Sequence, residues 1–355
     1  MDSINVLKKF WKNKNVFITG HTGFKGSWLS IALKLFGANL YGYSLKPKKN
    51  SLYNYANCKK IFKKNYFKKI EDKKSVERAI VNSNPDIIFH LAAQPLVSLS
   101  YLKPQETFNS NIVGTYNLLS SLNSSNKIKS VVIITTDKVY KIKNKEKVYR
   151  EQDELGGNDL YSASKACCEI LTFSFIKSFF QNKQFKNSIS TARSGNVIGG
   201  GDLSKDRLIP DIMFAINNKS KLIIRNPNSI RPWQHVIEPT FGYLKLARLQ
   251  YEKKNINKEP FWNFGPDRKN FIKVSNIANY IKKFKKFTLK YSNTKNFEET
   301  NILKLSNQKS KQILNWYPKW DIYKSLNYVI EWNDLYKQNK DAKKICEKQI
   351  REYLS

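Results

Sequence analysis

The chain is poor in the residues that build metal centres and disulfide frameworks. Its 355 residues include four cysteines and three histidines. Cys58, Cys167, Cys168 and Cys346 lack the C-x-x-C spacing of zinc and redox sites, and no cluster of histidine, cysteine and carboxylate accompanies them. The sequence therefore predicts neither a bound metal nor a disulfide-stabilised secreted domain, and the expected location is the cytoplasm.

Long hydrophobic runs are also missing. The first fifteen residues, "MDSINVLKKFWKNKN", lack the apolar segment of a signal peptide. No later stretch approaches the length that crosses a bilayer. We therefore expect no membrane association.

Acidic residues are scarce, since 28 Asp and Glu stand against 63 Lys and Arg, for a net charge of +35. A charge of this sign suggests a polyanionic partner, but no nucleic-acid-binding motif accompanies it. The basic residues are mostly lysines, spread along the chain with many Asn and Ile, which is typical of coding bias with the charge on solvated faces. We predict no nucleic-acid partner. A basic nucleic-acid-binding protein on the same fold is the alternative outside the enzymes.

What the chain does have is a regular alternation of short apolar runs and helical patterns up to about residue 195. The runs "NVFIT", "NLYGYS", "PDIIFHLAA", "SVVIITT" and "SISTARSG" read as strands, and helical spacing follows several of them. Alternating strands and helices form right-handed β-α-β units. The predicted fold class is α/β, with a doubly wound, Rossmann-type parallel sheet.

Beyond residue 195 the alternation breaks down. Gly, Pro and charged residues dominate as far as Trp233, "HVIEPTFGYLKLARLQ" is helical, "FWNFG" is strand-like, and amphipathic helices follow. We predict a nucleotide-binding domain over residues 1–194, to which 236–264 return. Residues 195–235 and 265–355 are predicted to form a smaller, mainly C-terminal substrate-binding domain.

The segment "TGHTGFKG" places three glycines between the first strand and the first helix. Glycines there allow a tight turn and let the backbone approach a pyrophosphate at the helix N-terminus. The acid that commonly follows the second strand is replaced by Ser44, with Lys46 nearby, so chemistry alone leaves NAD and NADP open. Asp72 either contacts the adenine end or caps the helix "SVERAI". The cofactor residues predicted here are Gly20, Thr22, Gly23, Phe24, Lys25, Gly26, Ser44 and Asp72.

Tyr161 and Lys165 are four residues apart in a predicted helix, so their side chains share one face. An ammonium beside a phenol lowers the pKa of the phenol, and a phenolate can accept a proton from a sugar hydroxyl. The Y-x-x-x-K spacing recurs elsewhere in the chain, but this pair follows the buried strand that carries Thr136. We predict that Tyr161 is the catalytic base.

Many segments together resemble the CDP-glucose 4,6-dehydratase family within the extended short-chain dehydrogenase/reductase superfamily. They are "GHTGFKGSWL", "HLAAQPLV", "TTDKVY", "LYSASKACCE", "RSGNVIGGGD", "DRLIPD", "RPWQHV" and "WNFGP". The resemblance runs in order from about residue 12 to beyond residue 330. It implies bound NAD, a two-domain fold, usually a homodimer, and a hydro-lyase.

The reaction implied by the resemblance turns CDP-D-glucose into CDP-4-dehydro-6-deoxy-D-glucose and water, for the deoxysugars of surface polysaccharides. NAD takes a hydride from C4 while Tyr161 takes the hydroxyl proton, water leaves across C5 and C6, and the hydride returns at C6. By resemblance, Asp137 is the acid for the C6 hydroxyl, and Thr136 bonds the C4 oxygen. Lys138 is either the C5 base or the partner of the enolate charge. The catalytic residues are Thr136, Asp137, Lys138, Tyr161 and Lys165.

The resemblance implies further contacts with both ligands. The remaining cofactor residues are Leu91, Ala92, Ala93, Gln94 and Asn111, together with Tyr161 and Lys165. The substrate residues are Gln94, Asn196, Arg207, Leu208, Arg231 and His235, with Arg231 gripping the pyrophosphate. The alternatives among enzymes are a dehydratase for another nucleotide sugar and a nucleotide-sugar 4-epimerase.

Overall fold

A computed structural model describes residues 4–143, 147–180, 187–224, 226–252, 259–292 and 303–355. The strands are β1 Asn15–Thr19, β2 Asn39–Ser44, β3 Phe62–Phe67, β4 Ile87–His90, β5 Ser130–Ile134, β6 Val148–Tyr149, β7 Ser188–Ser194, β8 Val197–Ile198, β9 Lys221–Ile224, β10 Ile230–Pro232, β11 Gln234–His235, β12 Phe261–Phe264, β13 Phe271–Lys273, β14 Thr288–Tyr291 and β15 Lys304–Leu305. The α-helices are α1 Ile4–Trp11, α2 Phe24–Leu35, α3 Leu52–Tyr55, α4 Lys73–Ser83, α5 Val97–Leu102, α6 Pro104–Phe108, α7 Gly114–Ser120, α8 Leu160–Phe175, α9 Leu208–Asn217, α10 Ile237–Glu252, α11 Val274–Phe284, α12 Gln308–Leu314, α13 Ile322–Lys337 and α14 Ala342–Leu354.

Seven strands form the central sheet, in the order β12-β7-β5-β4-β1-β2-β3. All six neighbouring pairs are parallel. Residues of β4, β5 and β7 are buried throughout, as expected for strands covered by helices on both faces. This confirms the prediction of a doubly wound α/β fold. The winding reverses between β1 and β4, so the ligand crevice lies at the carboxyl ends of these strands.

Strand β3 and helix α1 are among the elements of this half that the sequence patterns did not predict. Strand β3 was overlooked because "FKKNYF" carries two exposed lysines, which an edge strand paired only with β2 tolerates. Helix α1 was overlooked in the lysine-rich N-terminus, although its Leu7 and Trp11 are buried in the core. A π-helical segment, Asn109–Val113, joins α6 to α7.

A separate apolar core lies outside the sheet. It combines residues of β8, α9, β9, α11 and α13 with Trp233 and Phe287 from the connections. The residues of the five elements are Ile198, Ile209, Ile212, Met213, Ala215, Leu222, Ile224, Ile277, Ala278, Ile281, Ile322, Leu326, Val329 and Ile330. These residues fall within the predicted substrate-binding segments. The last helix, α14, packs instead against α2 of the nucleotide-binding half. The predicted domain limits stay a prediction.

Candidate functional site

The glycine loop lies between β1 and α2, at the reversal of the sheet. Gly20 has a left-handed φ of +71°, and a Cβ there would lie 2.6 Å from the backbone nitrogen of Ala92. A Cβ on Gly26 would lie 2.3 Å from the carbonyl oxygen of Gly20. Gly23 caps α2 without a side-chain hydrogen bond to the first turn. The loop is therefore a bare backbone cradle at a helix N-terminus, which fits a pyrophosphate.

The predicted adenosine-side residues lie at the end of β2 and the start of α4. The hydroxyls of Thr22 and Ser44 are hydrogen-bonded to each other at 2.8 Å, which links the glycine loop to β2. Asp72 accepts a hydrogen bond from the backbone N–H of Ser75 at 3.1 Å and so caps α4. Of the two interpretations of Asp72, the structure shows the capping one. An adenine contact by Asp72 stays a prediction.

The segment after β4 forms the next part of the crevice. Leu91 and Ala92 donate backbone hydrogen bonds to the hydroxyl of Thr19, each at 3.1 Å, and Ala93 follows them. Gln94 accepts from the backbone of Leu96 and donates to Thr107, so its side chain serves the local loop.

Asn111 is buried and ties this segment to α8. Its side chain accepts from the backbone N–H of Gln94 at 2.8 Å and donates to Ser164 at 2.8 Å. The side chains of Gln94 and Asn111, both predicted to contact the cofactor, are therefore already hydrogen-bonded to other residues of the protein. Those two assignments stay predictions.

The segment "TDKV" forms a single 3₁₀ turn directly after β5. Thr136 donates to Asp137 Oδ1 at 3.0 Å, and the amine of Lys138 lies 3.6 Å from the same oxygen. The Asp137 side chain is 1% exposed, and its Oδ2 has no hydrogen-bond partner among the described residues. A Cβ on Gly195, which follows β7, would lie 3.2 Å from that Oδ2. The free oxygen therefore faces the segment predicted to bind substrate.

Tyr161 and Lys165 lie on the face of α8 that is turned towards this turn. Burial raises the pKa of Tyr161 to about 12, and a hydrogen bond with Thr136 and the charge of Arg207 act against that rise. Burial therefore outweighs the groups that lower the pKa of the phenol, and Lys165 is not among the main ones. A lowering of this pKa by Lys165 stays a prediction. Lys165 donates to the carbonyl of Ile134 at 3.3 Å, and burial lowers the pKa of its amine.

A third lysine of the site, Lys25, comes from the first turn of α2. Lys25 donates to the hydroxyl of Ser194 at 2.8 Å and lies near the hydroxyl of Tyr243. Burial and the charges of Arg207 and Lys165 lower the pKa of Lys25 to about 7. The crevice therefore concentrates positive charge, which suits ligands that carry phosphates.

On the opposite wall, Asn196 and Arg207 precede and follow the glycine-rich loop "GGGD". Asn196 Oδ1 is buried and has no partner in the described part of the chain. Arg207 pairs with Asp202 at 3.1 Å and caps α9, which starts at Leu208. The charge of Arg207 also acts on Tyr161, the predicted base.

Arg231 and His235 come from neighbouring short strands but have different surroundings. Arg231 is buried in β10 and donates to the carbonyl of Ile230 at 3.2 Å. His235 is fully buried against Trp28 and Trp320, and burial lowers the pKa of its ring to about 3. The structure thus places His235 in aromatic packing. Its predicted contact with substrate stays a prediction.

Sequence reasoning missed a buried ion pair behind the turn of residues 136–139. Because three of these residues are predicted to act in catalysis, this segment is named the catalytic turn. Glu169 and Arg193 are 0% and 1% exposed and lie 2.9 Å apart. Two signals could have found them. Glu169 continues the four-residue spacing of Tyr161 and Lys165, and Arg193 is a charge inside the otherwise uncharged strand β7.

The site thus combines a phenol, a buried carboxyl and an amine beside a phosphate cradle. Among the described residues, no group of three or more histidine, cysteine or carboxylate side chains could hold a metal ion. In the same part of the chain, no helix is long and apolar enough to cross a membrane. The arrangement suits proton transfer at neighbouring carbons of one substrate.

Comparisons with known proteins agree with this chemistry. The family model described as GDP-mannose 4,6 dehydratase matches residues 17–328. A curated CDP-glucose 4,6-dehydratase of Salmonella typhimurium is 39% identical over 98% of both chains.

Two solved structures show the same fold at lower sequence identity. A dTDP-glucose 4,6-dehydratase of Bacillus anthracis in complex with NAD is 20% identical, with a TM-score of 0.75 over 94% of this chain and 99% of the other. A UDP-glucuronic acid 4-epimerase of Bacillus cereus, in complex with UDP-glucuronic acid and NAD, is 19% identical. It gives a TM-score of 0.76 over 92% of this chain and 99% of the other.

Proposed function

The chain belongs to the nucleotide-sugar 4,6-dehydratases, a family of hydro-lyases, and we propose that its substrate is CDP-D-glucose. The product is CDP-4-dehydro-6-deoxy-D-glucose, with release of water. The observation that carries this proposal is the turn after β5. It presents a buried carboxyl oxygen, without a partner among the described residues, next to a lysine and a buried tyrosine. The similarity to the Salmonella CDP-glucose 4,6-dehydratase supports the choice of CDP.

We propose NAD as the cofactor, held by the glycine loop, by the end of β2 and by Lys165. The bare backbone of the loop fits the pyrophosphate, and the neighbouring structures in complex with NAD support the choice. When bound, NAD supplies the acceptor for the C4 hydride and its return to C6. The NAD complexes are properties of those relatives, so binding to this chain is part of the proposal.

The residues of this chain carry the proton transfers. Tyr161 removes the proton of the C4 hydroxyl, and Thr136 donates a hydrogen bond to the C4 oxygen. The carboxyl of Asp137 protonates the departing C6 hydroxyl. Lys138 either takes the proton from C5 or stabilises the charge of the enolate, and its amine lies 3.6 Å from Asp137. A 4-epimerase needs the first two groups but has no use for a buried acid beside an amine.

The substrate is proposed to lie between this turn and residues 195–235. Asn196 offers a buried amide oxygen without a partner in the described residues, and Arg207 and Arg231 offer guanidinium groups for phosphate oxygens. Leu208 and Gln94 complete the predicted contacts.

We also propose a homodimer. Helices α5, α6, α7 and α8 lie side by side and carry large apolar side chains that are exposed in the single chain. These are Tyr101, Leu102, Phe108, Tyr116 and Ile170, and the exposed Phe179 follows α8 in the π-helical segment Ile176–Phe180. A patch of this kind is typical of a surface that a second copy covers. Light scattering should give the dimer mass for the wild type and a lower mass for Leu102→Asp.

A cytoplasmic location completes the proposal. The four cysteines are free thiols, three of them buried, which fits a reducing compartment. Fractionation of cells that produce the protein tests this directly.

The decisive experiment is incubation of the purified protein with NAD and a panel of CDP-, dTDP-, UDP- and GDP-hexoses. We expect a 4-keto-6-deoxy product from CDP-glucose, at least about tenfold faster than from the other nucleotides. Turnover of another nucleotide-glucose alone would assign a different dehydratase. A 4-epimer without loss of water would contradict dehydration.

A further inference from the structure

Helix α8 carries a third polar group in line with the two catalytic ones. Tyr161, Lys165 and Glu169 are successive residues at a spacing of four, so they lie along one helix face. The first two reach the crevice, and Glu169 lies one turn beyond Lys165, fully buried. The proposed chemistry leaves a buried carboxylate at this position without a function.

Glu169 is bound by three residues of the sheet. Thr135 donates to its Oε1, and Thr191 donates to its Oε2. Arg193 donates from Nε to Oε1 at 3.0 Å and from Nη2 to Oε2 at 2.9 Å, which is a two-bond pairing of guanidinium and carboxylate. The carboxylate therefore joins α8 to β7 and to the residue that directly follows β5.

Arg193 extends the network to the other end of the catalytic turn. Its Nη1 donates to the hydroxyl of Tyr140 at 2.7 Å and to the carbonyl of Glu151 at 3.1 Å. The guanidinium carbon lies 4.9 Å from the centre of the Tyr140 ring. Tyr140 in turn donates to Asn263 of β12 at 2.7 Å. The hydroxyl of Tyr140 is therefore held from two sides.

Thr135 and Tyr140 are the residues that flank the segment 136–139. One half of the ion pair holds the first residue, and the other half holds the second. We propose that the Glu169–Arg193 pair is a positioning device, which fixes the turn of Thr136, Asp137 and Lys138 against the base on α8. This inference rests on the proposed dehydratase function.

Two physical arguments support positioning over stabilisation. A buried ion pair is weak evidence of stability, because desolvation of both charges offsets their attraction. Displacement of a reacting group by about 1 Å can cost ~10²-fold in rate. The ion pair should therefore contribute little to the free energy of unfolding. Its larger contribution should be to the rate, because it keeps the acid, the lysine and the phenol in their relative positions.

The test compares two buried tyrosines whose hydroxyls meet buried charges. Tyr140→Phe keeps the ring and removes the hydroxyl that Arg193 binds. Tyr353→Phe is the matched control, because its hydroxyl donates to the buried Glu238 at 2.6 Å, away from the turn. We expect kcat to fall about tenfold in Tyr140→Phe, with KM for CDP-glucose unchanged within about threefold. The kcat of the control, Tyr353→Phe, should stay within about twofold of the wild-type value.

Glu169→Gln should have the larger effect, ~10²-fold in kcat, because it loosens both ends of the turn. Thr135→Ser should keep wild-type activity, and Thr135→Val should lose it in part. In the impaired variants the reduced nicotinamide should accumulate, because the displaced Asp137 and Lys138 act in elimination. Equal kcat per folded molecule in Tyr140→Phe, Glu169→Gln and the wild type would overturn the proposal.

A second measurement needs no substrate. Amide hydrogen exchange, followed by mass spectrometry, should become faster in peptides covering 136–139 for Tyr140→Phe and Glu169→Gln, and should stay at the wild-type rate there for Tyr353→Phe. Unchanged exchange in that segment would overturn positioning even if the protein proves to have another substrate. If the wild type turns over no nucleotide sugar but the two variants still exchange faster at 136–139, only the proposed function would be contradicted.

Discussion

The two walls of the crevice differ in how completely the protein satisfies its own polar groups. In the catalytic turn and the two residues that flank it, Thr135, Thr136 and Tyr140 have protein partners, and Asp137 Oδ2 has none in the described part of the chain. In the substrate-side segment, three buried atoms lack partners among the described residues. They are Asn196 Oδ1, Gln234 Oε1 and His235 Nε2.

This contrast separates catalysis from recognition. A wall whose groups are already bonded is rigid before the ligand arrives, and the open oxygen in its turn is the one that the proposed chemistry uses. On the opposite wall, Asn196 Oδ1 is a buried acceptor without a partner among the described residues. A ligand can complete it, since a buried polar group without a partner is costly. We therefore expect substitutions in the catalytic turn to lower kcat and substitutions on the opposite wall to raise KM.

The largest effect is expected at the base. Tyr161→Phe removes the proton acceptor, so turnover of CDP-glucose should fall by ~10²-fold or more while NAD stays bound. Product formation and retention of cofactor on gel filtration measure the two parts. Tyr43→Phe is the control, because its buried hydroxyl donates to the carbonyl of Lys69, away from the catalytic turn. Activity of Tyr161→Phe within about tenfold of wild type would contradict this assignment.

The next effect tests the division of labour inside the turn. Asp137→Asn cannot give a carboxyl proton to the C6 hydroxyl, so the overall rate should fall by ~10²-fold. Oxidation at C4 needs Tyr161 and Thr136, so absorbance of reduced nicotinamide should rise on addition of substrate. If that absorbance does not form, Asp137 acts in the first step and the proposed mechanism is wrong.

Lys138→Met separates the two roles left open for the amine. Solvent deuterium exchange at C5 should be lost in Lys138→Met if the amine is the base, and should be retained in part in Asp137→Asn. Exchange that persists in Lys138→Met would leave the amine the role of stabilising the enolate.

The sequence predicted the catalytic wall better than its supports. Strand alternation and the Tyr161–Lys165 spacing follow from local periodicity, which sequence displays directly. The Glu169–Arg193 pair depends on the meeting of α8 with β7, and the pKa of Tyr161 depends on burial and on Arg207. Local signals mark Glu169 and Arg193 one by one, through the four-residue spacing in α8 and the charge inside β7. Their meeting, and the burial of Tyr161, are long-range properties. Strand β3 was missed for a related reason, since its lysines are tolerated only because it lies at the sheet edge.

A smaller effect is expected across the crevice. Arg207→Gln removes a phosphate partner, so KM should rise about tenfold. The charge of Arg207 also lowers the pKa of Tyr161, so loss of this charge should raise that pKa further. The pH at which kcat increases, as the phenol loses its proton, should then be higher. Initial rates over a pH series measure both. Arg248→Gln, which loses a surface pair with Glu252, should change neither. If Arg207→Gln lowers kcat and leaves KM unchanged, Arg207 acts in catalysis and not in substrate binding.

The smallest effect on activity is expected below the substrate-side wall, at Glu238. This carboxylate accepts from the backbone N–H groups of Lys319 and Trp320 and from Tyr353, and burial raises its pKa from 4.5 to about 7. A carboxyl that binds its proton more tightly in the folded state stabilises the fold at low pH. That contribution is complete below about pH 4.5 and is lost as the pH rises through about 7.

The free energy of unfolding of the wild type should therefore contain a decline of up to about 3 kcal/mol between these pH values, and Glu238→Gln should lack it. Urea titrations at a series of pH values measure the difference. Turnover at neutral pH should stay within about twofold of wild type, because Glu238 supports the wall without facing the ligand. A variant with the wild-type pH slope would show that Glu238 is charged at neutral pH. Its three hydrogen bonds would then be sufficient to keep the carboxylate ionised. The polar groups below the substrate-side wall would in that case be as fully hydrogen-bonded as those that hold the catalytic turn.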